Sequence, residues 1–174
     1  IYSANKLICE KYFQIYSKVY GLYTSFLRLN TIYGERQRID NPKRGIANFF
    51  IGRILRGEPI TIYGDGKWIR DYNHVSNVID ALILCSQNEN AKGKRYVLGG
   101  DKMYFTDMVN EVVQAVEKYS SKKGTVTFVP FPEGEKRLDV GNTEVDYSKI
   151  KNELGWEPKI NFKEGIERTV KYYV

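Results

Sequence analysis

The stretch YSANKLICEKYFQIYSKVYGLYTSFLRLNTIYG, residues 2–34, decides the fold. Leu7, Ile8, Tyr12, Ile15, Tyr16 and Val19 recur in it at helical spacing, which predicts a helix over 3–20 that Gly21 stops. The following YTSFLRLN, residues 23–30, is short, aromatic and apolar, as a buried strand is. Helix, glycine, strand is the rhythm of a parallel α/β sheet.

The head of this stretch also carries chemistry. Tyr2 and Lys6 are four apart, so on a helix they lie on one face, one turn apart. A cation near a phenol stabilises phenolate against an ordinary pKa of about 10, and such a tyrosine can exchange a proton near neutral pH. Spacing alone does not single the pair out, because Tyr-x-x-x-Lys also starts at Tyr63, Tyr119 and Tyr147. Context has to choose among the four.

Working outward, the polar YGERQRIDNPKRG of residues 33–45 reads as an excursion loop. A helix is expected over 46–56, a short strand over 60–63, and a tight turn at Gly64-Asp65-Gly66. RDYNHV then reads as a strand ending at Val75, with Ser76 placed to cap a helix over 77–87. Next come a strand over 95–99, a helix capped by Thr106 that carries Met108, Val109, Val112, Val113 and Val116, and an edge-type strand over 125–131. Two helices, 143–154 and 163–173, flank Gly155-Trp156-Glu157-Pro158, where glycine ends a helix, proline blocks its continuation and tryptophan anchors the turn.

Composition bounds the function. A chain of 174 residues with 42% apolar content can bury one core. The net charge of +6 comes from 27 basic residues interleaved with 21 acidic ones, a pattern of solvated faces that argues against a nucleic-acid surface and leaves room for a small phosphorylated ligand. Cys9 and Cys85 fall within apolar helical patterns, which predicts buried thiols in a reducing, cytoplasmic setting. Neither has a metal-ligand neighbour, and no apolar run reaches the length of a membrane span. The chain starts at Ile1 without methionine and enters a helix at once, which reads as the carboxyl-terminal part of something longer.

Read together, RLNTIYG (28–34), GDGKWIRDYNHV (64–75) and DYSKIKNELGWEP (146–158) resemble the extended short-chain dehydrogenase/reductase superfamily, and within it the NAD-dependent nucleotide-sugar epimerases and dehydratases. Each block is weak; their order and spacing over essentially the whole chain make the resemblance. It implies an α/β fold: the carboxyl-terminal part of a Rossmann-type doubly wound parallel sheet plus a smaller substrate-binding domain. Residues 1–34 and 70–103 would belong to the NAD-binding part, and 35–69 and 104–174 to the nucleotide-sugar part. The family's glycine-rich dinucleotide loop and the Ser or Thr that assists its tyrosine are not in this sequence.

The resemblance also assigns roles. Tyr2 and Lys6, alone among the four pairs, precede a helix and a strand leading to Tyr33-Gly34, and so match the catalytic pair. NAD contacts are implied at Tyr2, Lys6, Leu29 and Ile32. Substrate contacts are implied at Thr31, where many members carry Asn; at Asn48, near a helix amino terminus, against the alternative of a solvent-facing amide; at Tyr63, beside the nucleotide base; and at Arg70, whose guanidinium can hold a pyrophosphate bidentately. For Arg70 the competing reading is a surface arginine paired with Asp71. Arg137 and Asp139 resemble the late substrate-closing loop, with Lys136 an alternative phosphate partner and Thr143 at the position that gates the sugar pocket. His74, the single histidine, is expected to be structural. No metal site is expected.

The implied activity is epimerisation at C4 of a uridine-diphosphate hexose through a transient keto sugar, by an NAD-dependent homodimer that pairs through the 3–20 helix. A nucleotide-sugar dehydratase or decarboxylase is the alternative within the fold, and a non-catalytic basic binding module the alternative outside it.

Overall fold

The computed structural model describes residues 1–132 and 141–174. The elements in chain order are α1 (Tyr2–Tyr20), β1 (Phe26–Leu29), β2 (Thr31–Tyr33), α2 (Ile46–Leu55), β3 (Ile60–Tyr63), β4 (Ile69–His74), α3 (Val75–Gln87), β5 (Arg95–Leu98), β6 (Asp101–Tyr104), α4 (Phe105–Tyr119), β7 (Val126–Val129), α5 (Ser148–Leu154) and α6 (Phe162–Tyr173). Gly21 ends α1 in the left-handed region, φ 69°, as the sequence predicts.

The strands pair mainly in parallel. β1 lies along β5, β2 along β4, and β3 along β7, while β6 returns antiparallel on the other edge of β4. Two cores result. One gathers Tyr33, Phe50, Ile51, Ile54, Ile60, Ile62, Tyr72, Met108, Val112, Ile166 and Val170 between the β2 and β3 strands and the helices α2, α4 and α6. The other joins Val78, Ala81, Cys85, Tyr96, Leu98, Ile150 and Trp156, so that α5 and its turn seal α3 onto β5. Ile150 and Trp156 pack with Val78 and Tyr96 because the left-handed Gly155 reverses the chain and lets the Trp156 Nε1 donate to the Asn77 carbonyl at 3.2 Å.

Several local expectations change. The strand expected over 23–30 is confined to four residues, and Asn30 breaks it from β2, because that residue turns its side chain toward β4. Helix α3 starts at Val75 and its cap is His74, whose Nδ1 accepts from the Ser76 N–H at 3.3 Å; Ser76 itself lies inside the helix. Thr106 is likewise inside α4, which Phe105 begins with no side-chain cap. The helix expected over 143–154 is only the seven residues of α5, since Asp146 Oδ1 accepts from the Ser148 N–H at 2.8 Å and starts it there. Cys85 is buried, whereas Cys9 is exposed: no residue of α1 is buried, so the apolar face of that helix stays open.

Candidate active site

Tyr2 and Lys6 occupy the first turns of α1, and the helical repeat brings the Lys6 Nζ to 5.6 Å from the centroid of the Tyr2 ring. Tyr2 is 75% exposed, so both phenol and ammonium face outward. Leu29, at the end of β1, is also exposed, while Ile32 on β2 is partly buried against the second core. The Tyr2 phenol and the Lys6 ammonium can hydrogen-bond hydroxyl groups, and Leu29 and Ile32 offer apolar surface on β1 and β2.

Arg70 and Thr31 stand on neighbouring strands. Thr31 opens β2 opposite Tyr72 of β4, and Arg70 lies two residues earlier on β4. One guanidinium nitrogen of Arg70 donates to its own strand at the Ile69 carbonyl, 3.0 Å, and also to the Gly141 carbonyl. Residues 142 and 143 fasten the same strand end: Asn142 Oδ1 accepts from Ile69 N–H at 2.9 Å, and the Thr143 N–H donates to the Ile69 carbonyl at 3.0 Å. The exposed Thr143 therefore sits within this cluster. The reading of Arg70 as a partner of Asp71 does not hold. Successive strand residues point to opposite faces, and Asp71 is buried while Arg70 is only half-buried.

Asn48 differs from both readings of the sequence. It is fully buried near the start of α2, with Oδ1 accepting from the Gly34 N–H at 3.2 Å and Nδ2 donating to the Gly34 carbonyl at 2.8 Å. Both ends of the amide are committed to one backbone unit, so Asn48 locks the β2 exit instead of facing solvent or a diphosphate. Gly34 itself admits no side chain, since a Cβ would lie 2.5 Å from Val75 Cγ1.

Tyr63 ends β3 and is 42% exposed, with its ring 6.1 Å from that of Phe131 at an interplanar angle of 30°. Phe131 in turn approaches Trp68, which packs on Phe105, so Tyr63 forms the outer member of an aromatic row. Arg137, Asp139 and Lys136 lie outside the described residues.

His74 is fully buried, with Nε2 3.1 Å from Glu35 Oε2 and Tyr33 edge-on to its ring. Burial holds its pKa below the ordinary value, opposed by the Glu35 charge, and Arg168 lies 3.5 Å from the other Glu35 oxygen. These contacts tie the β2 exit loop to α6, a structural role. The sequence reading missed a further group. The Asp71 carboxylate accepts from the Gly100 N–H at 2.7 Å and from the Asn30 side-chain amide. The available signals were an acid inside an otherwise closed strand and the Gly99-Gly100 pair.

The family model for GDP-mannose 4,6 dehydratase matches residues 1–169. The chain belongs to that family of nucleotide-sugar epimerases and dehydratases. A UDP-glucose 4-epimerase of Thermotoga maritima, solved with UDP-glucose, is 31% identical and superposes with a TM-score of 0.78 over 94% of this chain and 50% of its own. The UDP-glucose 4-epimerase of Thermus thermophilus, solved with NAD, gives 30% and 0.78 over 99% of this chain and 53% of its own. The dTDP-glucose 4,6-dehydratase of Haemophilus influenzae is 30% identical over 182 residues, 99% of this chain and 51% of that enzyme. The chain spans about half the length of these relatives. Among the described residues no helix is long and apolar enough to cross a membrane, and no cluster of three potential metal ligands occurs.

Proposed function

We propose that this chain carries the catalytic tyrosine and the nucleotide-sugar contacts of an NAD-dependent epimerase acting at C4 of a uridine-diphosphate hexose. The observation that carries the reading is the Tyr2–Lys6 pair, with the ammonium beside the phenol ring at 5.6 Å on an open helix face. Bound NAD would supply reversible hydride acceptance. Tyr2 would take the proton from the sugar hydroxyl as the keto sugar forms and return it afterwards. Lys6 would hold the nicotinamide ribose and keep positive charge beside the ring, with Leu29 and Ile32 against the ring system. Arg70 and Thr31 would meet the diphosphate, and Tyr63 the base. Arg137 would meet phosphate and Asp139 the ribose. The exposed α1 residues Tyr12, Ile15, Tyr16 and Val19 support the homodimer. Relatives of both epimerase and dehydratase type align equally well, so 4,6-dehydration, which starts with the same oxidation, is the second reading.

The test is Tyr2→Phe in the intact protein. Turnover of UDP-glucose to UDP-galactose should fall by roughly 100-fold or more, the usual worth of a positioned acid–base group. Affinity for UDP should stay within about a factor of two. Undiminished turnover in the variant would remove Tyr2 from the mechanism. Accumulation of a 4-keto-6-deoxy product by the parent protein would select the dehydratase reading.

A further inference from the structure

The node at Asp71 joins three pieces of chain that meet behind the proposed diphosphate contacts. Asp71 is 1% exposed, in the middle of β4. Its Oδ1 receives the Gly100 N–H at 2.7 Å, from the turn between β5 and β6, and the side-chain amide of Asn30, from the junction of β1 and β2. The turn is held close on its own account. A Cβ at Gly100 would collide with the Tyr72 carbonyl, and Asn73 Nδ2 donates to the Gly99 carbonyl at 2.8 Å. Asn30 Oδ1 is buried and has no hydrogen-bond donor. Buried polar atoms are rarely left in that state without a role.

The residues next to the node point to that role. Asn30 precedes Thr31 in sequence, and Asp71 follows Arg70. Alternation along the strand sends Asp71 inward and Arg70 to the opposite face. A single carboxylate therefore links the two strands at the residues adjacent to the pair expected to meet the diphosphate.

Building on the function proposed above, we propose that Asp71 is a positioning residue, its carboxylate fixing the spacing of Thr31 and Arg70 through Asn30 and the Gly100 turn. The charge state of the node is part of the device. Burial pushes the Asp71 carboxyl up to about 6, against the Gly100 N–H, the Lys102 ammonium and the Val145 N–H, which favour the anion; Asp101 acts with burial. Lys102 and Asp101 reach it from β6, and Arg70 flanks it on β4. Protonation weakens the acceptor for Asn30, Gly100 and Val145. The spacing of Thr31 and Arg70 should then change with pH near 6.

The experiment has two arms on the intact protein. In the first, nuclear magnetic resonance follows the Asp71 carboxyl carbon, the Asn30 side-chain nitrogen, the Gly100 and Thr31 amides and the Arg70 Nε from pH 5 to 8. All five should shift with one midpoint, and Asp71→Asn should abolish the transition at Thr31 and Arg70. Thr31 and Arg70 signals that stay flat while Asp71 titrates would overturn the proposal, whatever the ligand. In the second arm, calorimetry with UDP at pH 7.5 should show about tenfold weaker binding for Asp71→Asn and for Asn30→Ala. Turnover at saturating sugar nucleotide should stay within about twofold, a split that general unfolding would not produce. Unchanged UDP affinity in both variants would overturn the proposal. A parent protein that does not bind UDP at all would instead overturn the functional reading, and the resonance arm would still decide whether the node couples the two strands.

Discussion

Replacing Asn48 by alanine should destabilise the protein without touching any ligand contact. The substitution leaves the Gly34 N–H and the Gly34 carbonyl, both served by the Asn48 amide at 3.2 and 2.8 Å, without partners. Gly34 is buried, so both groups would be left in the interior. Each orphaned buried group costs about 1–3 kcal/mol, which puts the loss of the two at about 2–6 kcal/mol. That is a large share of a total stability of about 5–15 kcal/mol. Urea unfolding of the intact protein reads it directly: with a slope of about 2 kcal/mol per molar, the midpoint should fall by about 1–3 M. Asn48→Asp should do no better, because it keeps the acceptor for the N–H but turns a second carboxylate oxygen toward the Gly34 carbonyl. Midpoints within about 0.2 M of the parent for both variants would refute the reasoning. They would return Asn48 to the diphosphate role that the sequence suggested.

Gly100→Ala should be worse tolerated than a loop glycine usually is, because its Cβ meets backbone and not a movable side chain; little soluble protein is expected on expression, and a yield and melting temperature equal to the parent would contradict the close approach. Trp156→Ala should cost about 3–5 kcal/mol in urea unfolding, since the indole seals α5 onto α3 and its N–H bonds the Asn77 carbonyl; a loss under about 1 kcal/mol would mean that this core does not depend on it. His74 sets a pH limb. Its folded pKa lies below the ordinary 6.5, so the unfolded chain binds a proton that the folded chain does not. Stability should therefore fall as pH drops below about 6.5 and level off beneath the folded value, and His74→Gln should flatten that limb in unfolding series from pH 8 to 5. Asp71 acts in the opposite sense: raised to about 6, it adds stability as pH falls from there toward its ordinary value, and Asp71→Asn should remove that gain.

The sequence by itself determined the secondary elements with strong periodicity and the blocks of the family. The 3.6 spacing over α1, the stop at Gly21, the short strand at 60–63 and the glycine–proline punctuation around Trp156 are local properties, fixed by chain geometry and side-chain type. Tyr2 and Lys6 on one helix face follow from the helical repeat alone, and their distance bears that out. What only the tertiary structure decided is where polar side chains spend their hydrogen bonds. For Asn48 the sequence left a ligand contact and a solvent-facing amide open, because nothing local shows that Gly34, fourteen residues earlier, claims both ends of its amide. Pairing with its neighbour Arg70 was a competing reading for Asp71 in the sequence, whereas strand alternation and the arrival of Gly100 and Asn30 bury it. A buried polar group must find partners wherever the fold brings them, so its role depends on contacts far apart in sequence, which periodicity does not encode.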